Sequence, residues 1–159
     1  MVHLAVSRYN NASWRELKQF MEANQIQGCI YNTPVRITEN VGLKTTVIVL
    51  EMNNDKNQIY AIGQIENYLR MDQYYKIHAD NNYNRYSYRG ERRILRKDFN
   101  DLEEAVIRIF DQMVFKGSGH MKRGQGIQVI NKKKISKIMI GNKTLDQFME
   151  DMFLFRTSE

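Results

Sequence analysis

Thr45-Thr46-Val47-Ile48-Val49-Leu50-Glu51-Met52 is the run that decides the fold class. It is β-branched and almost continuously apolar, the composition of a central strand covered on both faces. Asn53-Asn54-Asp55-Lys56-Asn57 follows, a cluster of turn formers, and Gln58 to Glu66 resumes as a second strand through Ile59, Ala61 and Ile65. A buried hairpin over residues 45–66 is therefore the expected centre of the domain.

Working outward, His3 to Arg8 reads as a short strand. Ser13 with Glu16 forms a capping box ahead of Trp14, Leu17, Phe20 and Met21, which are apolar at helical spacing. Gly28 to Gly42 has few periodic apolar residues and reads as a long surface loop, with room for a short strand at Val35 to Ile37. Beyond the hairpin, Tyr74 to His78 and Tyr83 to Ile94 are strand candidates separated by the turn Asp80-Asn81-Asn82. Asp98 or Asp101 can cap a helix that brings Leu102, Val106, Ile109, Phe110, Met113 and Val114 onto one face and stops near Lys116 and Gly117. A glycine-rich loop, Gly117 to Gly126, leads to a short strand at Ile127 to Ile130. Thr144 with Gln147 then caps a last helix bearing Leu145, Phe148, Met149 and Met152. No repeat or low-complexity linker divides the chain. The expected architecture is one α+β domain over residues 1–159, a core to residue 130 followed by a basic segment and helix from 131 to 159.

Composition narrows the function. With 159 residues, 42% of them apolar, the chain can bury a core without disulfide or metal staples. No apolar run approaches the roughly 18–20 residues of a membrane span, and the start lacks the basic-then-apolar layout of a secretory signal. A soluble, cytoplasmic protein without a membrane partner is expected. The lone Cys29, flanked by Gly28 and Ile30, reads as a small buried residue rather than a reactive thiol. His3, His78 and His120 are scattered, so no metal-ligand spacing is present, and nothing calls for a cofactor. The net charge of +6 predicts attraction to polyanions and equally to anionic lipid, and charge alone does not choose between them. Abundant Asn, Ile and Lys with a single proline point to an AT-rich coding genome, that of a large DNA virus or an AT-rich microbe, and the viral case brings an infected host cell or a virion into consideration as the location.

Three segments carry candidate chemistry. In Tyr83-Asn84-Arg85-Tyr86-Ser87-Tyr88-Arg89-Gly90-Glu91-Arg92-Arg93, tyrosine faces can stack on bases while arginines meet phosphates. Alternation sends Tyr86 and Tyr88 to one face and Arg85 and Arg89 to the other. The competing structural reading is a half-buried strand with an aromatic core side and solvated arginines. In Phe115 to Gly126, four glycines allow close backbone approach while Lys116, His120, Lys122 and Arg123 supply charge, so the loop can cradle an anion. It lacks the order of a nucleotide-hydrolysing phosphate loop. Lys132, Lys133, Lys134 and Lys137 form a third basic cluster, usually a solvated face. No catalytic set can be assembled from spacing.

This order of elements, with Gly28-Cys29-Ile30-Tyr31 before the hairpin and V-I-V-L-E-M and A-I-G-Q-I-E within it, resembles the PUA-like superfamily, which includes the YTH, EVE and ASCH domains. The resemblance covers roughly residues 1–130. It implies a small curved or barrel-like mixed sheet with flanking helices, and a pocket that takes one base, often a modified one, out of an RNA or DNA strand. By position the segment Tyr31 to Thr38 lines that pocket, with Tyr31, Asn32 and Trp14 near it, while Lys122, Arg123 and Gln125 flank the backbone. YTH domains that read methylated adenosine build their cage from tryptophan, and this chain has only Trp14, so methyl recognition is not implied.

The reading is thus a nucleic-acid-binding module for RNA or single-stranded DNA, with Tyr31, Asn32, Arg85, Tyr86, Tyr88, Arg89, His120, Lys122, Arg123 and Gln125 as contact candidates. Two alternatives stand beside it: an ASCH-like ribonuclease or hydrolase using a base such as His120 or Lys122, and a structural virion or interaction protein with a basic face.

Overall fold

The computed structural model describes residues 2–156; the last three residues of the C-terminal segment lie outside that range. In chain order the elements are β1 (His3–Tyr9), α1 (Asn11–Ala23), β2 (Cys29–Thr33), β3 (Thr46–Asn53), β4 (Gln58–Glu66), β5 (Tyr86–Gly90), β6 (Arg92–Leu95), α2 (Asp101–Phe115), β7 (Ile127–Val129), α3 (Lys132–Ile135), β8 (Met139–Ile140), β9 (Lys143–Thr144) and α4 (Leu145–Leu154). Five strands form a mixed sheet in the order β6-β4-β3-β1-β7. The expected hairpin is there as β3 and β4, with β3 in the middle of the sheet, which is why its residues are buried from Val47 to Asn53. β1 runs parallel to β3, a pairing that needs a crossover, and α1 together with β2 supplies it.

Alternation along the strands splits the core in two. Leu4, Val6, Ile48, Leu50 and Met52 face the helices α2 and α4, whose Phe110, Val114, Met149 and Phe153 complete one wholly apolar cluster. Ala5, Tyr9, Val47 and Val49 face the other way, against Leu17 of α1 and against β2 and β5. A bulge opposite Glu51 and Met52 shifts the period of β4, which puts Ile59 and Ile62, three residues apart, into the same cluster.

Several expectations are corrected. The sheet does not close into a barrel: β6 and β7 are its free edges, and β2 and β5 form a separate two-stranded ribbon laid against one face. Residues 28–42 are not all loop, because β2 pairs antiparallel with β5 and all five of its residues are buried. Tyr74 to His78 forms no strand. Tyr83 to Ile94 is not one strand either: a 3-10 turn at Asn81–Asn84 precedes it, and the chain changes partner between β5, on β2, and β6, on β4. The change falls at Gly90, where a Cβ would stand 1.8 Å from the Gln64 carbonyl oxygen, so only glycine lets the ribbon cross β4 this closely. Finally, α1 starts a turn earlier than expected. Asn10 is its N-cap and Ser13 closes the capping box, which frees Glu16 for another contact. Asn100 caps α2, with Glu103 closing its box, and Thr144 caps α4, with Gln147.

Candidate functional site

A polar cleft of about 650 Å³ opens at the C-terminal end of β1, within the range of small-ligand sites. The first turns of α1 make one wall, the segment around His78 to Tyr83 a second, and Pro34 with the loop Gly124 to Gly126 a third.

The second wall is held by side chains rather than by a sheet. Asn84, buried, accepts from the backbone N–H groups of Ile77 and His78 at 3.1 and 3.0 Å and from Asn32 Nδ2 at 2.9 Å, and donates back to the His78 carbonyl at 2.7 Å. Asn32 Nδ2 also reaches the Tyr75 carbonyl, and its Oδ1 accepts from the Ser87 hydroxyl. Glu16 receives Ala79 N–H at 2.8 Å on one oxygen and lies 3.0 Å from His78 Nδ1 with the other. These contacts fix an irregular segment whose backbone no strand satisfies.

The loop that ends in the third wall is basic. Arg8 Nη1 and Asn54 Nδ2 both donate to the Lys122 carbonyl at 2.9 Å, which lashes the basic loop to the end of β1. His120 Nδ1 accepts from Lys122 N–H at 3.2 Å and so shapes the same turn. Gly126 holds φ at 72°, and a Cβ there would stand 2.9 Å from Val35 Cγ2; the glycine is what lets this loop close against the segment after β2. Lys134 Nζ donates to the Gly119 carbonyl, joining the lysine cluster of α3 to the loop.

Charge is segregated to this side of the sequence. Residues 112–145 carry eight of the 24 lysines and arginines and none of the 18 acids, so the rest of the chain, sixteen cations against eighteen acids, is net −2. The acid-free stretch was open to a sequence reading and is a sharper signal than the overall charge.

Beneath the cleft lies a buried polar cluster. Glu51, fully buried, accepts from Arg93 Nε and Nη2 at 2.9 and 2.8 Å and from the Tyr31 hydroxyl at 2.6 Å. Burial opposes the charge on Arg93, and Glu51 more than offsets it, so its pKa rises further. Burial and then Glu51 push both Tyr31 and Tyr9 above the ordinary phenol range. The Tyr9 hydroxyl has no hydrogen-bond partner among the described residues. Burial, with Glu51 adding, pushes the Cys29 thiol up to about 12, as befits an inert core residue.

The candidate residues scatter accordingly. Asn32 and Gln125 line the cleft, and Lys122, Arg123 and His120 belong to the loop beside it. Tyr31 does not line it: the side chain is buried and its hydroxyl is spent on Glu51. Tyr88 is also buried, its oxygen accepting from Ile37 N–H. Neither offers a ring to a base. Tyr86 is half-buried with the guanidinium groups of Arg36 and Arg85 at 5.2 and 5.6 Å from its ring centroid. Arg89 faces a different depression, shared with Arg70 and Arg92. Trp14 lies away from the cleft, packed edge-on to Tyr9 and Tyr60 with Arg93 over its ring. Within the arginine-rich run, Arg92 donates to the Phe153 carbonyl and Arg93 to Glu51, so these two are structural, whereas Arg85 and Arg89 make no ion pair among the described residues. The cleft residues missed in the sequence, Arg8, Glu16, His78 and Tyr83, come from separate segments that only the fold assembles.

Among the described residues, no three His, Cys, Asp or Glu side chains gather where a metal ion could sit, and no helix is long and apolar enough to cross a membrane. Comparison with protein-family models, with curated proteins and with solved structures finds no match to the chain.

Proposed function

We propose that the protein is a nucleic-acid-binding module of PUA-like type that takes a nucleotide of RNA or single-stranded DNA into the polar cleft while its basic loop holds the adjoining phosphates. The observation that carries this reading is the lashing of the Lys122 carbonyl to the cleft wall through Arg8 and Asn54, which sets the loop bearing Lys122 and Arg123 beside a cavity of nucleotide size. Phosphate contacts position a strand, and a recessed polar cavity beside them suits an extruded base. The same reading puts the protein in the cytoplasm, in an infected cell or a virion if the gene is viral.

The test is a salt-dependent titration against single-stranded RNA, single-stranded DNA and duplexes. Single strands are expected to bind with steep salt dependence, and removing Lys122 and Arg123 together is expected to reduce the log–log salt slope by roughly 1.4, at about 0.7 per phosphate contact. Gln125→Ala is expected to weaken one base more than the others. An unchanged slope in the double variant removes the loop from the interface; no binding at low salt removes the function.

A hydrolytic reading rests on one feature, the His78–Glu16 pair in the cleft, where a carboxylate fixes an imidazole as general bases require. His120 fits less well, because its Nδ1 already serves the loop. Loss of full-length RNA under catalytic protein, abolished by His78→Gln, would establish it.

A further inference from the structure

A second cavity, about 1040 Å³, lies apart from the polar cleft, between residues 36–44 and 67–72. Its floor is aliphatic: Ile37 and Val41 are buried and Leu69 partly so, with Tyr88 beside them. Its rim leaves large apolar side chains in water, Leu43 at 84%, Met71 at 85% and Tyr68 at 55% exposure. Scattered singly, such exposures mean little; gathered at one cavity, they mark an interaction surface.

The cup is also preformed. Asn67 Nδ2 donates to the carbonyls of Val41 and Gly42, Asn67 O accepts from Lys44 N–H at 3.0 Å, and Arg70 N–H reaches the Ser87 carbonyl at 2.8 Å. The Tyr88 oxygen accepts from Ile37 N–H, while its own proton has no acceptor among the described residues, so a hydroxyl donor stands unused at the cavity wall. Arg36 and Lys44 make no ion pair among the described residues, whereas Arg70 is shared with Asp72 at 3.6 Å and Glu39 stands on the rim.

We propose that this cup docks an acidic, amphipathic segment of a partner protein, which sets an apolar side chain on the aliphatic floor and carboxylates against Arg36, Lys44 and the Tyr88 hydroxyl. Shape and chemistry select that occupant. A small molecule filling the cavity would leave Leu43 and Met71 still exposed. A bilayer is too flat to reach Tyr88, which lies recessed below the rim. A polynucleotide gains from free stacking platforms, and of the two rings here Tyr88 is buried and Tyr68 lies under Lys44 Nζ, 5.9 Å from its centroid. A polypeptide with apolar anchors beside acids satisfies both the recess and the rim. The inference is independent of the nucleic-acid reading.

The experiment titrates the full, isotope-labelled chain by NMR with a short synthetic peptide in which Asp and Glu flank a Leu and Phe pair, and with the same peptide carrying Lys in place of every acid. The acidic peptide is expected to shift the signals of Ile37, Val41, Leu43 and Met71 saturably. Leu43→Asp and Met71→Asp, both at exposed positions, are each expected to weaken it by about tenfold, the scale of a buried anchor, with spectra otherwise unchanged. Arg36→Glu is expected to do the same. The proposal is overturned if neither peptide moves these signals, if the lysine peptide binds as well, or if single-stranded RNA or phosphatidylserine vesicles move them in preference to the acidic peptide.

Discussion

The two faces of the central sheet solve the same burial problem with different chemistry. Toward α2 and α4, β1, β3 and β4 present Leu4, Val6, Ile48, Leu50, Met52 and Ile62, and the helices answer with Phe110, Val114, Met149 and Phe153. Toward α1 and the β2–β5 ribbon, the same strands present Glu51, Ser7 and Tyr9 among smaller apolar residues, and a glutamate, an arginine and a tyrosine are joined in the interior. Both cavities described above lie on this second side, lined by residues of α1, β2, β5 and their loops. The helix-covered face is filled almost wholly by apolar side chains, with Asp111 Oδ1 accepting from Ile59 N–H at 2.9 Å as a polar tie beside them. The other face is open at two places, and the walls there are held by hydrogen bonds to particular atoms. Buried polar groups of this kind fix geometry at a cost in tolerance.

The contrast is broken or kept by two substitutions of the largest expected effect. Phe110→Ala should cost about 3–5 kcal/mol in urea unfolding by leaving a cavity, with nucleic-acid affinity of the folded protein unchanged. Glu51→Ala should cost a similar roughly 3–5 kcal/mol by stranding Arg93 in the interior. The faces separate in the rescue. Glu51→Leu combined with Arg93→Met and Tyr31→Phe should regain most of that loss, because a buried ion pair is worth little more than well-packed apolar groups. Stability that stays low in the triple variant would mean the cluster stabilises the fold outright, and the distinction between the faces would fail.

Asn84→Ala sharpens the comparison at intermediate size. It deletes the acceptor for two backbone N–H groups and for Asn32, at an expected cost of about 2–3 kcal/mol for groups left unsatisfied. It also loosens the wall around His78. Affinity for single strands should therefore fall while the salt slope stays as in the unsubstituted protein, the opposite signature to loss of Lys122 and Arg123.

The same difference explains what could be read in advance. The hairpin, the two long helices and the Thr144 cap follow from periodicity and local chemistry, which act over a few residues and are written in consecutive positions. The apolar face needed only those. The ribbon was missed because β2 is too short to show a period, and because Asn32 and Thr33 look like loop residues until Asn84 and Ser87 arrive from fifty positions away to satisfy Asn32. The expectations of a stacking face at Tyr88 and a pocket-lining ring at Tyr31 fail for a related reason: a tyrosine can be buried when its hydroxyl finds a partner, and the Ile37 N–H and Glu51 are not their neighbours in sequence. Lys122, Arg123 and Gln125 were legible because a glycine-rich cationic loop is a local pattern, whereas Arg8 and His78 reach the cleft through tertiary structure alone.

The smallest effect tests where ionic contacts matter on the apolar side. There they lie along α2: Arg96 holds Glu104 at 2.8 Å and Asp111 at 2.9 Å, and Arg156 holds Glu103 at 2.6 Å. The hydrogen bond from Arg96 keeps Glu104 below the ordinary carboxylate value of 4.5, against the opposing pull of burial. A carboxylate whose pKa is depressed by folding stabilises the native state fully above its unfolded value, and that contribution fades as pH falls through the folded one. Stability should accordingly be flat from neutrality to about pH 5 and decline below it. With the Glu104 side chain 31% exposed, water screens the pair, and Glu104→Gln should remove no more than about 1 kcal/mol of that decline. A larger loss would mean that this ion pair anchors α2 to the edge strand β6 as firmly as the apolar contacts do. The helix-covered face would then share the dependence on particular polar atoms that otherwise belongs to the face with the cavities.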